Sequence, residues 1–213
     1  VTHNREFYTP LVVYKKWYII YLVKERQTPM LKYVLLGALS YQPLTGYQLK
    51  QFVDNTTKHF WFAQTSQIYR TLKEIEEAKL AVSEVQEQDK RPDRRLYHIT
   101  QTGRDDLKAW LIQPMTTVEP TKDALVIRLF FAKQMDKDSL LTQLKLQRTL
   151  HQQQLLLYRT EIIRQIETSR AQHPELDRDA QFWDMARRNG ELAEEYYIRW
   201  LDETIQRIEA MPD

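Results

Sequence analysis

Ser66-Gln67-Ile68-Tyr69-Arg70-Thr71-Leu72-Lys73-Glu74-Ile75-Glu76-Glu77, followed by a strand-like stretch from Leu80 to Ile99, decides the fold. Ile68, Leu72 and Ile75 recur at helical spacing and mark one inward stripe, and Ser66 has the chemistry of an N-cap. After Leu80 the period changes. Leu80, Val82 and Val85 form one run and Leu96, Tyr97 and Ile99 the other, with the polar, turn-forming Gln88-Asp89-Lys90-Arg91-Pro92-Asp93-Arg94 between them. A helix followed by a hairpin with a cationic tip is expected.

Upstream, Leu31, Val34, Leu35, Ala38 and Leu39 mark a helix from Met30 that stops at Gln42-Pro43. Thr45-Gly46 opens a second helix with Tyr47, Leu49, Phe52 and Val53 inward, and the aromatic Phe60-Trp61-Phe62 follows. Downstream, Thr100 caps a helix carrying Leu107, Trp110 and Leu111, ended by Pro114. Three helices, a two-stranded hairpin and a closing helix in this order compose a winged helix-turn-helix.

Beyond Pro120 the chain reads as helix: one from Lys122 to Gln134, a long one capped by Asp138 and running to about Ala171, and a last one after His173-Pro174 to about Met211. The long helix would span about 50 Å at about 1.5 Å per residue. On it Leu141, Leu144, Leu155, Tyr158 and Ile162 hold heptad a/d positions, with Arg148 and His151 as polar interruptions. On the last helix Phe182, Trp183, Ala186, Ala193, Tyr197, Trp200, Leu201 and Ile208 are expected inward. So much apolar helix surface needs cover, and a second copy of the chain supplies it, so a homodimer is expected. The fold class is mostly α, an N-terminal winged helix-turn-helix followed by a helical dimerisation arm. The expected domains are a winged helix at 30–115 and a dimerisation and effector domain at 116–213. Residues 1–29 form an extension, read either as sequence upstream of a natural start at Met30 or as an extra helix packing on a partner subunit, the former preferred.

Composition narrows the chemistry. The 213 residues include no cysteine, which removes disulfides, thiolate ligands and a cysteine nucleophile. Four scattered glycines leave no glycine-rich phosphate cradle. The five histidines form no helical i, i+4 metal pair, there is no Gly-x-Ser-x-Gly elbow, and the carboxylate pairs Asp105/Asp106 and Glu194/Glu195 are adjacent residues that read as solvated. No enzyme activity, metal or cofactor is expected. Leu11–Val23 is too short and, with Lys15 and Lys16, too charged to span a bilayer, so no membrane partner and a cytoplasmic location are expected. The net charge of +2 conceals +3 over residues 1–29, +2 over 30–115 and −3 over 116–213.

The cations are better read locally. Ser66, Arg70, Lys73 and Glu77 lie opposite the Ile68–Leu72–Ile75 stripe, with Gln67 and Tyr69 on the shoulders, so the first half of this helix suits a major groove. Such a face standing alone is more often solvated. Lys90, Arg91, Arg94 and Arg95 change the balance, because four cations within six residues at a hairpin tip can track phosphates or enter a minor groove. Double-stranded DNA is the expected partner. A helical interaction protein without DNA binding is the alternative, and it leaves the basic hairpin unexplained.

Several stretches resemble the PadR family of transcriptional regulators: Met30 to Leu39, Leu44-Thr45-Gly46-Tyr47-Gln48-Leu49, Ser66 to Glu76, and Arg91 to Gly103. Lys122 to Phe131 and Trp200-Leu201-Asp202-Glu203 resemble the long C-terminal domain of its larger subfamily. Ala78-Lys79-Leu80 departs from the family, which usually has a glycine before the wing. The resemblance implies a dimeric repressor of an inverted-repeat operator, with Tyr47, Ser66, Gln67, Tyr69 and Arg70 facing DNA, beside Lys73 of the polar helix face, and Lys90, Arg91, Arg94 and Arg95 in the wing. It also implies release by phenolic acids such as p-coumarate and ferulate and control of a phenolic acid decarboxylase. Relatives that answer to drugs or other signals leave a regulator of a drug-efflux or stress gene as the alternative. A small aromatic acid effector needs a slot and a cationic partner. Trp61, Tyr158, Trp183 and Trp200 are candidates for the slot, and Arg128 or His151 for the carboxylate partner, although aromatics at helical spacing are usually core. The effector is expected between the DNA-binding half and the helical arm.

Overall fold

Thr45 ends a strand and begins a helix at once. In the computed structural model, which describes residues 30–57, 63–86, 94–118 and 122–212, helix α1 spans Met30–Tyr41, strand β1 Leu44–Thr45 and helix α2 Gly46–Phe52. The Thr45 hydroxyl accepts from the Gln48 N–H at 3.2 Å, and the Gln48 side chain accepts from the Thr45 N–H at 2.8 Å, a reciprocal cap. A π-helical turn follows at Val53–Thr57. Helix α3 covers Thr65–Glu77, and strands β2 (Ala81–Gln86) and β3 (Arg94–Ile99) form the wing. Helix α4 (Gln101–Ile112) closes this half. The antiparallel sheet has the order β1-β3-β2, with Leu44 opposite Tyr97 and Ser83 opposite the same residue on the other edge. Leu35, Leu36, Leu39, Leu49, Ile68, Leu72 and Ile75 are fully buried beneath it. Each such side chain contributes about 1.5–3 kcal/mol of burial. Tyr33 stacks on Trp110 at 4.3 Å, and Lys32 pairs with Asp106 at 2.7 Å, tying α1 to α4.

The end of α3 shows how the chain does without the missing glycine. Lys79 takes φ 59, the Leu80 N–H bonds the Ile75 carbonyl at 2.9 Å, and the Lys79 N–H bonds the Glu76 carbonyl at 2.9 Å. This is a Schellman close with lysine in the left-handed position. The Leu80 carbonyl then accepts the Thr100 N–H at 3.0 Å, and the Thr100 hydroxyl accepts the Gly103 N–H at 3.0 Å. A Cβ on Gly103 would sit 2.0 Å from the Leu80 carbonyl oxygen, so only glycine allows this approach.

The described residues form two compact units, dividing between Pro114 and Met115. The second contains α5 (Ala124–Phe130), a 3-10 turn at Ala132–Gln134, α6 (Lys137–Leu157), a π-helical segment at Tyr158–Ile162, α7 (Ile163–Gln172), a 3-10 turn at Pro174–Leu176 and α8 (Asp177–Glu209). Lys145–Glu209 at 2.7 Å, Arg148–Asp202 at 2.6 Å and Arg159–Glu191 at 2.9 Å run in descending order along α8, so α6 and α8 are antiparallel. Leu125, Leu140, Leu144, Leu201, Ile205 and Ile208 form its core.

Several expectations need correction. Helix α3 begins one residue before Ser66, because the Gln67 side chain reaches back to the Gln64 N–H at 2.8 Å. Tyr47 points outward, and Val82 and Val85 are exposed while Ala81 is buried, since the period-two face of β2 leaves the core toward the wing tip. Asp123 caps α5, so that helix starts later than Lys122, and Asp136 rather than Asp138 caps α6. The long helix is interrupted at Tyr158–Ile162, and Leu140, Leu144 and Tyr158 are its buried residues rather than a regular heptad set. Leu111, Phe182, Ala186 and Ala193 are exposed. The reading of residues 1–29, and with it the Phe60-Trp61-Phe62 stretch, lies outside the described residues.

Candidate nucleic-acid interface

On the first unit, α2, the start of α3 and strand β3 meet around a groove of about 650 Å³. Its walls include Tyr47, Gln48 and Gln51 from α2, Tyr69 from α3, and Arg94, Arg95 and Tyr97 from β3. Tyr47 is 63% exposed and its hydroxyl accepts from the Gln51 amide at 3.1 Å. The Tyr69 ring lies against the first turn of α2, where a Cβ on Gly46 would stand 2.7 Å from Tyr69 Cε1. Among the described residues no carboxylate lines the groove, which offers hydroxyls, amides and guanidinium groups. That set suits a polyanion.

Of the DNA candidates, Tyr47, Tyr69, Arg94 and Arg95 are thus brought together. Ser66, Gln67, Arg70 and Lys73 are exposed on α3 without lining the groove. Arg70 lies 3.7 Å from Glu74 and Lys73 3.6 Å from Glu77, both as i, i+4 pairs. Arg95 lies 3.5 Å from Glu76. Lys90 and Arg91 lie outside the described residues. Gln48 and Gln51 were missed by reading α3 and the wing alone; Gln51 follows Tyr47 by four residues, a spacing that puts both on one helix face.

The second unit has a groove of its own, about 460 Å³, between the start of α5, the middle of α6 and α8. Arg128 and His151 both line it, with Lys122, Asp123, Leu146 and Tyr197. The Tyr197 hydroxyl donates to Asp123 at 2.6 Å, His151 stacks on the Tyr197 ring at 4.1 Å, and its Nδ1 bonds Glu194. Burial, together with the Asp123 carboxylate, pushes the Tyr197 hydroxyl well above the ordinary tyrosine value. Burial works against ionising Asp123, yet the bonds from Tyr197 and from the Val126 and Leu125 N–H groups hold its carboxyl below the usual 3.8. Tyr158, Trp183 and Trp200 do not line this groove. Tyr158 is buried against Gly190, where a Cβ would come within 2.4 Å of its ring, and Trp200 stands edge-on to Tyr197 at 5.0 Å. Trp61 lies outside the described residues. Gln143, which accepts from Arg128 at 3.2 Å, had no signal in the sequence, being one amide among many on α6. Among the described residues no group of three His, Asp or Glu side chains is placed to hold a metal ion, and no helix is long and apolar enough to cross a membrane.

Comparison with known proteins follows the same division. The transcriptional regulator PadR-like family matches residues 35–109, and the virulence activator alpha C-terminal family matches 121–209. A probable transcriptional regulator of Mycobacterium tuberculosis is 30% identical over 190 residues, covering 84% of this chain and 97% of that protein. The negative transcriptional regulator PadR of Bacillus subtilis is 29% identical over 102 residues, 48% of this chain and 56% of that protein. The structure of B. subtilis PadR with operator DNA superposes with a TM-score of 0.72 at 21% identity, over 84% of this chain and 98% of that one. The Vibrio cholerae virulence activator AphA superposes at 0.63 with 25% identity, over 85% and 99%. B. subtilis PadR with p-coumaric acid gives 0.54 at 22% identity, over 84% and 98%.

Proposed function

The chain belongs to the PadR-like family of transcriptional regulators, and on that premise we propose that it is a homodimeric repressor that binds an inverted-repeat operator and is released by a phenolic acid, controlling a phenolic acid decarboxylase. The convergence of Tyr47, Tyr69, Arg94 and Arg95 around one carboxylate-free groove supports DNA binding here. In this reading the first half of α3, with Ser66, Gln67, Arg70 and Lys73, reads the major groove, while Arg94 and Arg95, with Lys90 and Arg91, follow the backbone. Exposed Leu146, Leu150, Phe182, Met185, Leu192 and Tyr196 on the second unit support a second copy as its cover.

The groove at Arg128 and His151 supports the effector reading, since an aromatic ring would lie against Tyr197 and His151 and a carboxylate would meet Arg128 or Lys122. B. subtilis PadR has been crystallised with p-coumaric acid, which makes a phenolic acid the first compound to try. Asp123 in the same groove favours a second reading, a cationic drug as effector. Titrating the operator-bound protein with p-coumarate, ferulate and cationic drugs decides between them by which class releases DNA. Arg94→Ala with Arg95→Ala is expected to weaken operator binding about a hundredfold, the sum of two contacts, with the dimer mass retained in light scattering. Survival of binding would remove the wing from the interface.

A further inference from the structure

Glu76 stands outside both grooves and still touches one of their residues. It is the penultimate residue of α3, and its carboxylate reaches both strands of the wing. Oε1 accepts the Ser83 hydroxyl of β2 at 2.5 Å, and Oε2 lies 3.5 Å from Arg95 Nη1 of β3. Its side chain is 31% exposed, against 51% for Glu74 and 66% for Glu77, whose cationic partners lie on their own helix. Of these three acids, Glu76 is the one whose partners belong to the wing.

We propose that Glu76 is a positioning residue that sets DNA specificity, by fixing the wing base against the end of α3 and withholding Arg95 from phosphates of non-operator DNA. The proposal rests on the DNA-binding reading above. The Ser83 bond occupies one carboxylate oxygen and leaves the other facing β3, so the tie has a geometric and an electrostatic part. A phosphate that approaches Arg95 must displace Glu76 and also sit near its negative charge. A random duplex offers no compensating contact. An operator that seats α3 in its major groove brings a phosphate to Arg95 while every other contact is made, and the exchange becomes favourable. The acid therefore costs affinity everywhere and costs least on the right sequence, which is how a repulsive element raises specificity.

Two variants separate the two parts. Glu76→Gln keeps an oxygen for Ser83 and removes the charge from Arg95. Ser83→Ala removes the tie and keeps the charge. The full-length proteins are titrated, by fluorescence anisotropy over a range of salt, with a duplex recovered by selecting random sequences on the wild type and with a mixed-sequence duplex of equal length. Glu76→Gln is expected to bind the mixed duplex about 3-fold tighter, with a salt dependence steeper by about one counterion, so that the specificity ratio falls about 3-fold. Ser83→Ala is expected to leave the mixed duplex unchanged and lose about 3-fold on the selected one. Glu74→Gln and Glu77→Gln remove the same charge from the same helix and are expected to leave the ratio unchanged. Arg95→Gln in the Glu76→Gln background is expected to abolish the gain on the mixed duplex. If all three glutamate variants relax the ratio alike, the effect is bulk charge and the proposal is overturned. An unchanged ratio in Glu76→Gln overturns it too. A wild type that binds neither duplex, with no selected sequence emerging, refutes the DNA-binding reading instead.

Discussion

The two units solve the same problem, covering apolar helix faces, in different ways. In the winged unit four helices and a sheet enclose one core, and Arg94 and Arg95 stand outside it on a carboxylate-free groove. In the helical unit the core is a short seam, and polar ties do much of the holding. Glu191, almost fully buried, accepts from Arg159 at 2.9 Å and Arg187 at 2.7 Å, and Arg188 lies 2.9 Å away. Meanwhile Phe130, Phe182 and Met185 remain exposed. A unit that closes its own core is free to spend its surface on a ligand. The other leaves apolar faces open, and ion pairs such as Arg159–Glu191 tie its long helical segments together.

This contrast is breakable. The largest effect is expected at Gly103. Gly103→Ala forces a Cβ onto the Leu80 carbonyl, and about 3 kcal/mol or more of the winged unit's stability should be lost. Hydrogen exchange is expected to show the loss in α3, β2, β3 and α4 and to leave α6 and α8 protected; equal loss in both units would mean that they fold as one. Next comes Glu191→Gln, at about 2 kcal/mol near neutral pH, because it weakens charged bonds to Arg159 and Arg187. Those guanidinium groups, Arg159 first, hold the Glu191 carboxyl at about 2 instead of 4.5. A carboxyl depressed in the folded state stabilises fully above its unfolded value and loses that contribution as pH falls toward the folded one. The advantage of the wild type over Glu191→Gln should therefore shrink between pH 4.5 and 2, seen as converging urea midpoints of the helical unit. A constant gap across that range would show that Glu191 acts through packing alone. The smallest effect is a gain. Lys79→Gly places glycine at φ 59 and is expected to stabilise the winged unit by about 0.5–1 kcal/mol, seen as a higher midpoint in a thermal melt; destabilisation would mean that Lys79 makes up for its backbone strain elsewhere.

Much of this was legible residue by residue. Thr45 and Thr100 announce their helices because a cap is a contact within three residues. The stripe Ile68–Leu72–Ile75 announces α3 because helical period is local. The wing cations were legible as a cluster, whereas Gln48 and Gln51 were hidden on a short helix whose role depends on where Tyr69 packs. The strand Leu44–Thr45 was invisible because two residues carry no period, and their partner lies about fifty positions away in β3. The effector candidates fared unevenly for a similar reason. Arg128 and His151 share a groove although nothing in their spacing links them, while Trp183 and Trp200, equally good on chemistry, fall elsewhere on α8.

The sequence by itself determined the order of the helices and of the two wing strands, the helix starts at Thr45 and Thr100, the absence of cysteine chemistry and the concentration of positive charge at the hairpin. All of these follow from interactions within about four residues or from composition. Tertiary structure alone decided that the Leu80 carbonyl would exclude any side chain at Gly103, that Glu76 would hold Ser83 and Arg95 together, and that Tyr197 would bond Asp123 from 74 residues away. Each of those depends on two segments arriving at one place, and the arrival is set by the packing of buried faces rather than by the residues that finally meet.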